Sequence, residues 1–152
     1  MTMWTHDYDK YPELTNVELE TLGFSSPHEQ ITADFTATVV KVHDGDTVTL
    51  HVSFRDFNFP LRFLGIDSPE LNAGGDVARD WLKGKIEGHE VTVLIDNRNR
   101  VGKYGRLLGR ILYNGIDVGE EEIYLGLASR FESRMEGELP NVDKQFSMKQ
   151  WF

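Results

Sequence analysis

Cysteine is absent from the 152-residue chain, which excludes disulfides and thiolate metal sites. A chain without thiols is compatible with a reducing compartment. Apolar runs are short, and none approaches the roughly 20 residues that a membrane span needs. The opening stretch MTMWTHDYDKYPEL lacks a basic segment followed by an apolar one, so no secretory signal is expected. Repeats and low-complexity tracts are missing as well. Basic residues are scarce, 16 against 25 acids, for a net charge of −9. Taken as a total, that balance opposes a nucleic-acid partner.

The distribution weakens the objection. Residues 1–34 hold seven acids against the single base Lys10, a net −6, whereas residues 35–131 carry only −2 and residues 132–152 carry −1. The middle of the chain is nearly neutral and can present a local basic surface. The length suits one domain plus extensions, with a core that needs no staples.

Residues 1–32 read as an acidic extension. Thr15 followed by Glu18 matches a capping box, which predicts a short helix over about 15–22, ended by Gly23. From Ile31 the period becomes two. Phe35, Ala37, Val39 and Lys41 would share one face of a first strand, and Val48, Leu50 and Val52 one face of a second. Asp44-Gly45 between them signals a hairpin. A third strand is expected from about Phe57 to Ile66, with Pro60 marking an edge or bulge. Residues 76–87 have helical spacing, with Asp76 as N-cap and Val77, Ala78, Trp81, Leu82 and Ile86 on one stripe. Glu90–Ile95 and Gly105–Tyr113 read as strands four and five, the latter closed by Asn114-Gly115. Val118–Leu127 reads as a second helix. The fold class is therefore α+β, mainly β. It is a five-stranded OB-type barrel in the order three strands, helix, two strands, helix, with N- and C-terminal extensions. A ferredoxin-like sandwich would need a helix after its first strand, where a hairpin stands instead. The polar tail, 132–152, ends in Trp151-Phe152, an aromatic pair expected to pack on something.

Three clusters carry chemistry: His43-Asp44-Gly45-Asp46-Thr47, Arg62 to Asp67-Ser68-Pro69-Glu70, and Lys103-Tyr104-Gly105-Arg106. Pro69 stops the third strand and leaves Asp67 and Glu70 at a strand-to-loop junction. Arg62 and Asp67 differ in parity, so only a bulge near Gly65 would bring them to one side. Asp46 begins the second strand. Two carboxylates, a backbone carbonyl and waters form a hard-oxygen site, suited to calcium or magnesium and not to zinc. Arg98, Arg100, Lys103 and Arg106 are four bases in one loop, and Tyr104 offers a face on which a base could stack. Arginine binds two phosphate oxygens at once. A metal, a carboxylate base and two guanidiniums are what phosphodiester hydrolysis requires.

The ordered set ATVVKVHDGDTVTL, LRFLGIDSPE, KYGRLLGRILYNG and GEEEIYLGLA resembles the staphylococcal nuclease (thermonuclease) family over about residues 33–131. The resemblance implies an OB-like barrel and calcium-dependent endonucleolytic hydrolysis of DNA and RNA that leaves 3′-phosphates, with magnesium the second choice of ion. By the same resemblance, Asp46 and Asp67 are the metal carboxylates and Ser68 supplies a carbonyl where threonine is commoner. Glu70 is the general base, Arg62 and Arg106 hold the phosphate, Lys103 and Tyr104 contact substrate, and Asp44 supports the metal ligands. Glu122 stands where the family's last helix turns an apolar residue inward, and a rotated helix would turn it outward.

Each motif alone has an ordinary reading. Asp-Gly is usually just a hairpin turn, Asp-Ser-Pro-Glu a strand exit, and Gly-Lys-Tyr-Gly-Arg a solvated turn. Their order and spacing together favour the site. His43 and His51 read as partly exposed strand residues, Trp81 as core, and Glu120–Glu122 as a helix start meeting its dipole. An OB module that only binds nucleic acid would gain nothing from three acids beside a phosphate. The rival expectation is an assembly module, for instance of a viral particle, whose terminal arms dock on protein partners. The two can coexist. The expected location is cytoplasmic, or within a larger assembly such as a virion.

Overall fold

Alternating β-branched and aromatic side chains drive the first half of the barrel, because they pack well on a pleated, half-buried surface. The computed structural model describes residues 12–20, 28–102 and 105–130. In it β1 (Phe35–Asp44) pairs antiparallel with β2 (Thr47–His51), which pairs antiparallel with β3 (Phe59–Phe63). On its other edge β1 pairs with β5 (Glu90–Leu94), and β5 with β6 (Leu107–Tyr113). A parallel pairing of β3 with β6, Leu61 opposite Leu107, closes the order β3-β2-β1-β5-β6 into a five-stranded barrel. The expected OB-type architecture is present.

Local details differ from the periodic reading. Register shifts between Val39 and Lys41, and again between Val42 and Asp44, break the parity of β1. Lys41, expected with Ala37 and Val39, is therefore exposed, and Val42 is buried. The expected third strand is two pieces. Leu64 and Gly65 form a turn, with Gly65 at φ 76°, between β3 and β4 (Ile66–Asp67). Pro60 sits where β3 is paired on one side only, a locally open edge as expected. It lies opposite Thr49, one residue before the β6 pairing begins, so its missing N–H falls near the strand's start.

A single-turn 3-10 helix (Leu71–Ala73) leads into α2 (Gly75–Ile86), which buries Ala78, Leu82 and Ile86 against the barrel, with Trp81 half-buried. The N-cap is Gly74, without a side-chain cap, and not Asp76, which lies in the first turn. The reason is local. Pro69-Glu70 folds back so closely that a Cβ at residue 75 would meet the Pro69 carbonyl oxygen at 2.2 Å, which shifts the helix start to a Gly-Gly pair. Val77, expected in the stripe, is exposed.

Asn114 and Gly115, both at positive φ, turn β6 into β7 (Ile116–Asp117). Asp117 then caps α3 (Val118–Tyr124), accepting from the Gly119 and Glu120 amides. The helix stops three residues short of the expected Leu127. Ser129–Arg130 forms β8, which pairs with β4. The expected capping box is present at α1 (Asn16–Glu20): Thr15 N donates to Glu18 Oε1 at 2.7 Å and Glu18 N to Thr15 Oγ1 at 3.1 Å. Glu13, Leu14 and Ile31 are buried. The expectation for the aromatic-ended tail lies outside the described residues. Among those residues, no helix is long and apolar enough to cross a membrane.

Candidate functional site

The β1–β2 turn is the first component. Asp44 Oδ1 accepts from the Asp46 amide at 3.0 Å, which fixes the two-residue loop Gly45-Asp46. Gly45 is required by crowding: a Cβ there would lie 2.8 Å from each of Ala78 Cβ, Ser68 Cβ and Glu122 Oε1. Asp46 is only 6% exposed. Its Oδ1 accepts from Thr47 Oγ1 at 2.9 Å, and its Oδ2 from the Ser68 amide at 3.0 Å and Ser68 Oγ at 3.1 Å. The turn is thereby tied to the β4 exit, 22 residues away in sequence.

Arg62 joins the two expected metal carboxylates. Its Nη2 lies 3.5 Å from Asp46 Oδ2 and 3.5 Å from Asp67 Oδ1. At 3.5 Å these contacts are longer than the roughly 2.7–2.9 Å of a tight charge-assisted pair, and one guanidinium nitrogen spans both acids. The Leu64-Gly65 turn is what permits this despite the mismatched parity of residues 62 and 67.

Asp44, Asp46, Arg62, Ser68, Glu70 and Arg106 meet at one cleft of about 480 Å³. Asp67 is 1% exposed and lies behind the lining, reached through Arg62. Glu70 is exposed, and its backbone carbonyl accepts from the Ala73 and Gly75 amides, each at 2.9 Å. Arg106 is half-buried, with its carbonyl accepting from Gly102 N at 2.8 Å. Lys103 and Tyr104 lie outside the described residues.

The acids do not titrate alike. Burial would raise Asp46, but Arg62's charge and the hydrogen bonds from Asp44, Ser68 and Thr47 hold it below the usual carboxylate range. Asp44 is pushed up to about 6 by burial and by sharing a proton-accepting site with Asp46. Burial, and then the charges of Asp46, Asp44 and Asp117, push Glu122 up to about 9. Glu122 is fully buried, and neither carboxylate oxygen has a hydrogen-bond partner among the described residues. The helix is not rotated to turn it outward, because α3 buries Val118, Gly119 and Glu122 on one face.

A second correction concerns the basic loop. Arg98 is exposed, but Arg100 is 2% exposed and bound to Glu13, so it adds nothing to a phosphate-attracting surface. Arg55, which no sequence motif singles out, is buried beside the same Glu13. The available signal was the placement of lone charges among apolar neighbours, as in Pro12-Glu13-Leu14.

A closed OB-type barrel with acids and arginines at one mouth defines the class of this chain. Comparison with known proteins gives the family. The model described as staphylococcal nuclease homologue matches residues 60–150, more than half of the chain, and the chain belongs to that family. Asp44 and Asp46 precede the matched span. An uncharacterised protein of Bacillus anthracis is 32% identical over 89 residues, covering 54% of this chain and 41% of the relative. A probable endonuclease of Leptosphaeria maculans is 30% identical over 97 residues, covering 57% of this chain and 32% of the relative. The chain thus spans well under half the length of either relative.

Proposed function

We propose that the chain is a calcium-dependent endonuclease that hydrolyses phosphodiester bonds of DNA and RNA and leaves 3′-phosphates. The observation that carries the reading is the single Arg62 guanidinium 3.5 Å from both Asp46 and Asp67, at a cleft shared with Glu70 and Arg106. Family membership and the probable endonuclease relative support it.

The donor set fits a hard divalent cation. Asp46 and Asp67 are buried hard-oxygen carboxylates that share Arg62, and such oxygens suit a hard divalent cation. Among the described residues no three acidic or histidine side chains form a ready-made metal cage. Asp46, Asp67 and the Ser68 carbonyl would hold the ion, and water and phosphate oxygens would complete its coordination. When bound, calcium supplies Lewis-acid polarisation of the phosphate. Magnesium is the second choice, since it demands stricter octahedral geometry.

The chain's own residues do the rest. Glu70, exposed at the cleft, accepts the proton of the attacking water. Arg62 and Arg106 bind the phosphate oxygens on which charge grows, an effect worth roughly 10²–10³-fold per donor in other enzymes. Lys103 and Tyr104 help seat the nucleotide. The rival assembly reading rests on the terminal arms, yet Glu13 and Leu14 of the N-terminal arm are buried, and Glu13 pairs with the chain's own Arg55 and Arg100.

The test is cleavage of single-stranded DNA, duplex DNA and RNA with calcium, with magnesium and with chelator, for the wild type and Glu70→Gln. Calcium-dependent cleavage lost in the variant is expected. Equal rates for the two proteins in calcium would refute the assignment.

A further inference from the structure

A buried charge cluster lies outside the cleft. Glu13, Arg55 and Arg100 are all nearly inaccessible to solvent. Glu13 Oε1 pairs with Arg55 Nη2, and Glu13 Oε2 lies 3.5 Å from Arg100 Nη2 and accepts from the Ile31 amide at 3.2 Å. Arg55 is held in turn by the Glu29 carbonyl at 2.8 Å, and its guanidinium lies 4.7 Å from the Phe59 ring centre. Burying such charges is costly unless geometry and hydrogen bonding are good, and a core needs no such cluster for stability alone.

Arg100 belongs to the loop that leads to Arg106, and it is bonded to the N-terminal segment. Its Nη1 donates to the Leu14 carbonyl at 2.6 Å and to Asn16 Oδ1 at 3.2 Å, and its Nε to the Ile31 carbonyl at 2.9 Å. Asn16 Nδ2 donates to the Asn97 carbonyl at 2.9 Å. The Glu13 amide donates to the carbonyl of Gly105, the residue before Arg106, at 3.2 Å. Gly105 sits at φ 96°, a conformation that other residues resist. Within the loop, the Gly102 amide donates to the Arg106 carbonyl at 2.8 Å and the Leu108 amide to the Arg100 carbonyl at 2.9 Å.

From these contacts we infer that residues 13–16 form a clamp that positions Arg106, with Glu13 and Arg100 as positioning residues for the phosphate. The inference rests on the proposed role of Arg106. The clamp holds the loop at Asn97, Arg100 and Gly105, on the approach to Arg106. Without it, the guanidinium would sample positions from which it cannot meet the transition state. Pinning the Gly105 carbonyl from outside the barrel fixes the backbone that carries that side chain.

The test compares wild type, Arg100→Lys, Arg106→Ala and the double variant. Lysine keeps the charge but lacks the planar fork that reaches three acceptors. Misplacing a transition-state group lowers kcat more than it raises KM, here by about 10-fold in kcat for Arg100→Lys. If Arg100 acts through Arg106, Arg100→Lys causes no further loss in the Arg106→Ala background. An equal loss in both backgrounds, or none in a folded Arg100→Lys, overturns the clamp. Hydrogen exchange gives a readout independent of activity: the Gly102 and Leu108 amides should exchange about 10-fold faster in Arg100→Lys while those of β1 do not change. Unchanged exchange there also overturns it. A wild type that cleaves nothing refutes the nuclease reading, and exchange then decides the clamp alone. If Arg100→Lys fails to fold, Asn16→Ala removes two of the clamp's hydrogen bonds, to Arg100 and to the Asn97 carbonyl, and should produce the same pattern, about 2–3-fold in size.

Discussion

Replacing Glu122 with leucine should stabilise the metal-free protein, and the gain should grow with pH. Glu122 has no exposed surface and no hydrogen-bond partner for either oxygen among the described residues. Its carboxyl is pushed up to about 9 in the fold, by burial first and by Asp46, Asp44 and Asp117 after it, against 4.5 ordinarily. The sign follows from proton counting. Below pH 4.5 both states are protonated, so the group adds no pH dependence. Between 4.5 and 9 the folded state holds a proton that the unfolded state has released, and stability falls as pH rises. At about 1.4 kcal/mol per pH unit, the cost at pH 7 is about 3 kcal/mol, levelling near 6 kcal/mol above pH 9. Leucine has similar volume and fits the apolar side of α3. Urea unfolding in chelator at pH 5, 7 and 8.5, followed by circular dichroism, would measure the difference. Glu122→Leu should lead the wild type by about 1, 3 and 5 kcal/mol on the titration term alone. Glu122→Gln should flatten the pH slope without the apolar gain. A wild-type-to-leucine difference that is constant across the three pH values would refute the reasoning, because Glu122 would then ionise normally.

Two further outcomes follow from the same geometry. Arg62→Ala leaves Asp46 and Asp67 without their shared countercharge, so its melting temperature should fall further in chelator than in calcium, where the ion replaces the lost charge. An equal drop in both buffers would argue against metal binding there. Gly45→Ala forces a methyl group to within 2.8 Å of Ala78, Ser68 and Glu122, and should cost about 1–3 kcal/mol in urea unfolding together with cleavage rate. Wild-type behaviour would show that the turn yields freely.

The acidity of the chain has a consequence for this site. Two arginines of the middle region, Arg55 and Arg100, are buried with Glu13 and do not face solvent. The surface is therefore poorer in positive charge than a count of basic residues suggests. On the proposed reading, phosphate attraction at the cleft would fall to Arg62, Arg106, Lys103 and the cation. On that reading the metal would carry more of the affinity than it would beside a basic surface.

The sequence alone determined the barrel and which segments of the chain supply the cleft. Period-two apolar runs, the Asp-Gly hairpin, the Pro69 stop and the Asn-Gly turn are local signals, and each acts within a few residues. Asp46, Arg62, Ser68, Glu70 and Arg106 reach the cleft with Asp44, although β3 ends at Phe63 and Asp67 lies behind the lining. Three features required the tertiary structure. The pairing of Arg62 with Asp67 depends on the Leu64-Gly65 turn, which overrides strand parity. The burial of Glu122 depends on how α3 rolls onto the β1–β2 turn, a contact between segments more than 70 residues apart. The pairing of Glu13 with Arg55 and Arg100 depends on residues 13–16 meeting Asn97, Arg100 and Gly105, a long-range choice no local pattern encodes. Local sequence determines where a strand stops, but which charges share a buried space is decided only when distant segments meet.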